Sequence, residues 1–471
     1  MSGQRIRMST WEDQKQFAEQ LSRTFGHVSD LVFRGAGRSL IVYLAGIVDE
    51  KRIEREIIRP LEANPDADGI PVNSPAVKTT GDYEETVQAL LSGAAAIAIV
   101  GRENVILANV ASVPHRNINR PETETVVQGP REGLVEHLET NIALLRRMLK
   151  SDKLRIRTWK IGSVVKTDVR MLYLDGVASD ELVTEIAKRI SAVQLDAVIE
   201  SNYLAENIKD RPFSLFPTVQ STERSDVVTE ALVKGRVAVL VDNTPFALIF
   251  PFTFWNAFQA IEDYYINYSS ATFLRAIRAL FIILALLLPS LYVAITTYHV
   301  EMLPTDLLLS IAASRETSPF PAVVEALIME SIFEALREAI VRLPRILGQA
   351  VSVVGALVIG QSIVQAGIIS IPMIIVVSVT GIASLMIPRY EMTFAIRIMR
   401  MILLVLAGSL GLYGVALGLF FTQAYLTGIQ SAGTPYLTPI APLVVRGLKD
   451  FLLRAPLRRH AKIPQRGRSS P

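Results

Sequence analysis

The chain has 471 residues, half of them hydrophobic, a mean hydropathy of +0.35 and a formal net charge of +3. It contains no cysteine, which excludes disulfides and thiolate metal sites. Its length corresponds to about three domains. The average hides an uneven split, because charge concentrates in the first half and long uncharged runs in the second.

The N-terminal stretch MSGQRIRMSTWEDQKQFAEQL is polar and carries no apolar h-region, so no signal peptide is expected and the N-terminal part is expected to be cytoplasmic. Residues 1–29 read as a helical or frayed lead-in. From Asp30 onward strands alternate with amphipathic helices. SLIVYLAG is β-rich, and VDEKRIEREIIRPL sets Ile53, Ile57 and Ile58 on one helix face. DYEETVQALLSG then leads into a hairpin of AAAIAIV and NVILANV.

The same order returns downstream. VRMLYLDG matches SLIVYLAG, and ASDELVTEIAKRISAV matches the helix after it. SDVVTEALVKGRVAVLVDNTPFALIFP matches the helix and hairpin, with Gly235 standing where Gly93 stands. The predicted fold is an α/β soluble N-terminal region of two related subdomains, residues 30–125 and 126–255, followed by an α-helical polytopic membrane domain, 256–445, and a basic tail, 446–471. No enzyme is expected: the five histidines are scattered, with no HExxH, P-loop or GxSxG, so no catalytic residue, metal ligand or cofactor is assigned.

In the membrane half, spans are expected at about 277–298, 346–366, 368–387 and 401–425, with 303–316 short enough to be re-entrant. Tyr264, Tyr265 and Tyr268 with Arg275 and Arg278 form an aromatic and basic collar before the first span. Four spans place Arg389, Arg397 and Arg400 on the side opposite the N-terminus, against the positive-inside rule; a fifth crossing within 303–343 moves them back but exports the tail. The count stays open on sequence alone.

Residues 318–361 change character halfway. Before Pro344, Glu325, Glu330, Glu334, Arg337, Glu338 and Arg342 recur at helical spacing; after Arg345 no charge appears until Arg389. A charged group at mid-bilayer costs about 3 kcal/mol, so these side chains must face water, a protein partner or a pore. Glu330, Glu334 and Glu338 share one helix face and would stack as acidic rings in an oligomer. Arg337 and Arg342 lie at pairing distance, so a solvated or partner-facing helix explains them equally. Further on, Ser352, Ala356 and Gly360 form a small-residue packing row, and Gln349, Val353, Leu357 and Gln361 an adjacent row with an apolar middle. That second row suits a hydrophobic pore constriction, or a packed face within one subunit.

The succession EDYY, LRAIRAL, PSLYVAITTYHVEMLPTDLLLSIAASRE, PFPAVVEALIMESIFEALREAIVRLP, LGQAVSVVGALVIGQSIVQAG and MIIVVSVTGIAS resembles the A subunits of bacterial spore germinant receptors, the GerA family. QGPREGLVEHLETNIALLRR and FPTVQSTERSDVVTEALVKGRVAVLVD extend the likeness through the soluble half; Ile340 stands where the family often has glycine. The resemblance implies a spore inner-membrane protein with a cytoplasmic N-terminal domain. It also implies assembly, pentameric by preference, into a nutrient-gated channel that releases cations. The implied partners are a transporter-like B subunit, a lipoprotein C subunit and membrane lipid, with no nucleic acid. The alternatives are an accessory ion channel of the stage V sporulation AF type and a non-conducting scaffold for the nutrient-sensing subunit. A substrate transporter is disfavoured, since the repeat lies in the soluble half rather than the membrane half.

Overall fold

The computed structural model describes residues 10–26, 28–63, 77–111, 120–316, 318–342, 361–363, 365–444 and 454. Helix α1 (Trp11–Phe25) starts at a capping box, in which the Thr10 hydroxyl accepts from the Asp13 N–H and the Asp13 carboxylate accepts from that of Thr10. It buries Phe17, Leu21 and Phe25 against the first sheet's core.

That sheet contains β1 (Leu31–Ala36), β2 (Ser39–Leu44), β3 (Val77–Thr80), β4 (Ala94–Ile99) and β5 (Val105–Asn109), antiparallel throughout in the order β1-β2-β4-β5-β3. The second contains β6 (Leu154–Ile161), β7 (Thr167–Leu174), β8 (Gln220–Thr222), β9 (Val237–Val241) and β10 (Ala247–Phe250), in the order β6-β7-β9-β10-β8. The two orders are one permutation, so the duplicated sequence pattern is a duplicated topology.

The helices repeat as well. Residues 50–63 (α2) bury Ile53, Ile57 and Ile58, as their spacing requires, and α3 (Tyr83–Leu91) precedes β4. In the second unit α5 (Asp180–Ala192) and α7 (Ser225–Val233) occupy the same places, with α6 (Ser201–Ile208) added between them. Gly93 and Gly235 follow α3 and α7 with φ of 88° and 80°. A Cβ on Gly93 would lie 2.9 Å from the Ile47 carbonyl, and one on Gly235 would lie 2.7 Å from that of Val177. The same close approach therefore excludes a side chain at both sites.

Helix α4 (Leu138–Met148) joins the units. It buries Leu138, Ile142 and Leu145 in a core shared by Leu44 and Ile97 of the first sheet and Leu240 and Ile249 of the second. Its Arg146 makes a bidentate pair with Asp30, at 2.8 and 3.0 Å, with both side chains buried.

The second half is a helical bundle. Helix α8 (Tyr268–Tyr298) leads away from the sheets, and at its far end the Tyr298 hydroxyl donates to the carbonyls of Gly408 and Ser409. The short α9 (Thr305–Arg315) buries none of its residues. Helix α10 (Ala322–Arg342) begins at that far end, where Val323 lies against Gly408, and returns until Val341 lines one cavity with Glu124 and Phe246 of the soluble region. Helix α11 (Ile371–Ser384) runs the same way and ends where Arg337 donates to Ser384.

The expected single span at 401–425 is corrected. The helical stretch Tyr390–Thr427 breaks at Gly411, whose φ of 60° and ψ of −144° reverse the chain. Two antiparallel arms result, α12 (390–410) and α13 (412–427), in register through Thr422 on Met399 and Gly418 on Leu403. At 1.5 Å per residue they are about 31 and 24 Å long. Glycines at 411, 414 and 418 permit the close approach; a Cβ at Gly414 would meet the Leu406 carbonyl at 2.1 Å.

Arg389 lies on the side of the soluble region, where it donates to Glu124 at 2.7 Å. The Gly411 turn then brings the chain back, and Tyr425 donates to Ser214 of the soluble region at 3.2 Å.

Candidate functional site

The carboxylates of α10 share a helix but not a surrounding. Glu330 lies 2.6 Å from Arg400 of α12, both side chains being 1% exposed. Glu334 is shared by three guanidiniums: Arg397, to which it hydrogen-bonds, and Arg337 and Arg400, each at 3.6 Å. Glu338 is exposed and, among the described residues, pairs with Arg342, one turn on, at 2.5 Å. The expected pairs of Arg337 and Arg342 are thus present, while Glu330 and Glu334 also bind α10 to α12 within one subunit. Two carboxylates against three guanidiniums leave the cluster with one excess positive charge.

Arg400 does a second job. Pro289 sits inside α8 and has no N–H, so the carbonyl of Ala285, four residues earlier, loses its helical donor. Arg400 donates to that carbonyl at 3.3 Å. One side chain therefore satisfies a proline-freed carbonyl on α8 and a buried carboxylate on α10, as a proline within a membrane helix requires of its neighbours.

Nearer the far end, Glu325 is fully buried. One of its oxygens accepts from the Ser370 N–H at 3.2 Å and from its hydroxyl at 2.7 Å, closing the N-terminus of α11 onto α10.

Ion pairs also fasten the bundle to the soluble region. Asp263 receives Arg275 at 2.9 Å and Arg278 at two contacts of 3.1 Å, so the basic part of the predicted collar is held by protein. Tyr265 donates to Asp226 at 2.5 Å, and burial together with that carboxylate holds its phenol well above the usual range. Asp226 is in turn held by Arg224, whose guanidinium also donates to the carbonyls of Glu124 and Pro130. The Glu124 carboxylate accepts from Thr222 at 2.9 Å and from Arg389, at the entry to α12, at 2.7 Å. A continuous polar chain thus runs from Arg389 through Glu124, Arg224 and Asp226 to Tyr265, just before α8.

Of the row Gln349, Val353, Leu357 and Gln361, only Gln361 is among the described residues, and it is exposed on the single subunit. Gln349, Val353 and Leu357, and the packing row Ser352, Ala356 and Gly360, lie outside them. Among the described residues no cluster of three or more His, Asp or Glu is placed to hold a metal ion. Sequence reasoning did not assign Glu124, Asp263 or the arginines of α12 to any site. The available signal was three arginines flanking or entering an apolar stretch, each of which demands a partner.

Fold and site together define a membrane protein in which a duplicated α/β region is fastened by ion pairs to a helical bundle. Helix α8 (Tyr268–Tyr298) is long and apolar enough to cross a bilayer, and the stretch Tyr390–Thr427, also apolar, is folded at Gly411 into two arms. The chain belongs to the Bacillus/Clostridium GerA spore germination protein family, whose family model matches residues 19–466. It is 42% identical to the uncharacterized membrane protein YfkQ of Bacillus subtilis, over 94% of this chain and 89% of that protein. It is 40% identical to spore germination protein KA of the same organism, over 90% and 80%. The crystal structure of the N-terminal domain of the A subunit of the Bacillus megaterium spore germinant receptor GerK3 is 28% identical, with a TM-score of 0.40, covering 53% of this chain and 97% of that one.

Proposed function

We propose that this chain is the A subunit of a spore germinant receptor and that copies of it assemble into a nutrient-gated channel releasing cations at the start of germination. One observation supports the channel reading above others. Gln361 is exposed on the isolated subunit, so one polar end of its row is open to solvent or to a neighbouring copy. A pore built by Gln349, Val353, Leu357 and Gln361 requires that exposure, whereas an intramolecular packing face does not.

The ion pairs give the proposal a division of labour. Glu330 and Glu334, paired with Arg397 and Arg400, hold the bundle rigid, and Glu338 supplies the exposed acidic ring. The small row Ser352, Ala356 and Gly360 packs neighbouring helices. A transporter-like B subunit and a lipoprotein C subunit complete the receptor, in the spore inner membrane. A cytoplasmic soluble region is supported by the basic residues Arg275, Arg278 and Arg389, which all gather at its end of the bundle.

The mass of the purified full-length chain in detergent tests the assembly. Five copies are expected; a monomer at all concentrations would reject the ring.

A further inference from the structure

A cavity of about 680 Å³ opens where the bundle meets the soluble region. Its walls come from the near ends of α10, α11 and α12 and from Thr123, Glu124 and Phe246 of the soluble region. Val341, Leu385, Ile387, Pro388 and Tyr390 make most of it apolar, and Arg337 and Arg397 are among the lining residues. We propose that this cavity binds a glycerophospholipid, its phosphodiester on Arg337 and Arg397 and an acyl chain along the apolar wall.

Three observations carry the assignment. The first is charge: among the described residues Arg337, Arg397 and Arg400 form ion pairs with two carboxylates, Glu330 and Glu334, so this cluster beside the cavity holds one more cation than anions. The second is hydrogen bonding. The Arg397 Nε is buried and has no acceptor, and a phosphate oxygen is the acceptor for which a guanidinium fork is best shaped. The third is depth. The cavity lies at the junction of apolar helices with the soluble region, and Val341, Leu385 and Tyr390 beside it are 68%, 75% and 62% exposed. An apolar opening under paired arginines at that level is where a basic inter-helix pocket meets lipid headgroups.

Two carboxylates also line the cavity. Glu124 is neutralised by Arg389 at 2.7 Å. Glu391 stands six residues before Arg397 on α12, about 9 Å away along the axis, so it leaves the phosphate position at the arginine end. The volume falls within the range of pockets that enclose small ligands, so it takes a headgroup and part of one chain rather than a whole lipid.

The test uses the full-length chain in a mild detergent, with phosphatidylglycerol, diacylglycerol and inorganic phosphate as separate additions, read by native mass spectrometry and by thermal unfolding. Retention of phosphatidylglycerol with a raised unfolding temperature is expected, and neither effect from diacylglycerol. An equal rise with inorganic phosphate alone would reduce the site to a free-phosphate site and overturn the lipid assignment. Arg397→Gln should lower retention about tenfold, as loss of one charge-assisted contact predicts. Because that change also touches Glu334, Val341→Trp serves as a second variant that blocks the cavity without altering an ion pair. Loss of bound phosphatidylglycerol in Val341→Trp supports the site. Undiminished retention in Val341→Trp, or equal retention of diacylglycerol by the unmodified chain, overturns it.

Discussion

Arg400 donates to the carbonyl of Ala285 at 3.3 Å, the one group in α8 that Pro289 deprives of its helical partner. The same guanidinium holds Glu330 at 2.6 Å. A proline, an arginine and a glutamate on three helices therefore form one unit, and each explains why the others are tolerated in an apolar bundle.

That unit predicts non-additive mutations. Arg400→Gln strands a buried carboxylate and should cost about 3–5 kcal/mol. Pro289→Ala restores an N–H to the Ala285 carbonyl, so Arg400→Gln should cost about 1 kcal/mol less in that background. Unfolding of the four variants in detergent measures the cycle; strict additivity would show that the Ala285 contact contributes nothing.

The carboxylates of α10 should separate by position. Glu330→Gln leaves Arg400 under-compensated inside the subunit and should lower the stability of the bundle by about 3–5 kcal/mol. Glu338→Gln removes only an exposed pair with Arg342 and should change stability by less than about 1 kcal/mol. If Glu338 forms an acidic ring, cation preference should fall in Glu338→Gln while assembly stays normal. Unchanged selectivity would leave Glu338 a solvated residue.

The Gly411 turn is directly testable because the chain has no cysteine of its own. Met399→Cys combined with Thr422→Cys should form a disulfide readily, since the two side chains touch across the arms. In a straight helix these positions would lie about 34 Å apart and no disulfide could form. Failure to cross-link under oxidation, in folded protein, would restore a single long span.

The seam between soluble region and bundle should loosen at Glu124. Arg389→Gln removes a charge-assisted hydrogen bond and should cost about 2 kcal/mol. The connector near Glu124 should also become more accessible to protease, while the two sheets unfold as before. Unaltered cleavage would mean that Arg224 and Tyr265 hold the seam without Arg389.

Much of this fold was legible in the sequence. The paired runs ending in Gly93 and Gly235 repeat because one backbone approach, onto the carbonyls of Ile47 and Val177, recurs in both units. Ile53, Ile57 and Ile58 were legible for a similar reason: helical period and burial coincide there. The hairpin at Gly411 was not, because LAGSLGLYGVALG is apolar and glycine-rich on both sides of the turn. Hydropathy measures only the total length of such a run, and nothing in it marks a reversal. The arginine cluster was half legible. Charges in an apolar setting announce that partners exist, but pairing Arg400 with Glu330 requires knowing that α10 and α12 run side by side.

Cation efflux from liposomes carrying the purified full-length oligomer tests the channel proposal most directly, with Leu357→Ala compared against the unmodified chain. In the proposed pore Leu357 belongs to the apolar middle of the row Gln349, Val353, Leu357 and Gln361. Leu357→Ala is then expected to leak rubidium without nutrient while the oligomer stays assembled. A variant that loses about 2–5 kcal/mol of stability yet stays tight would contradict it, making Leu357 a packing residue within a single subunit.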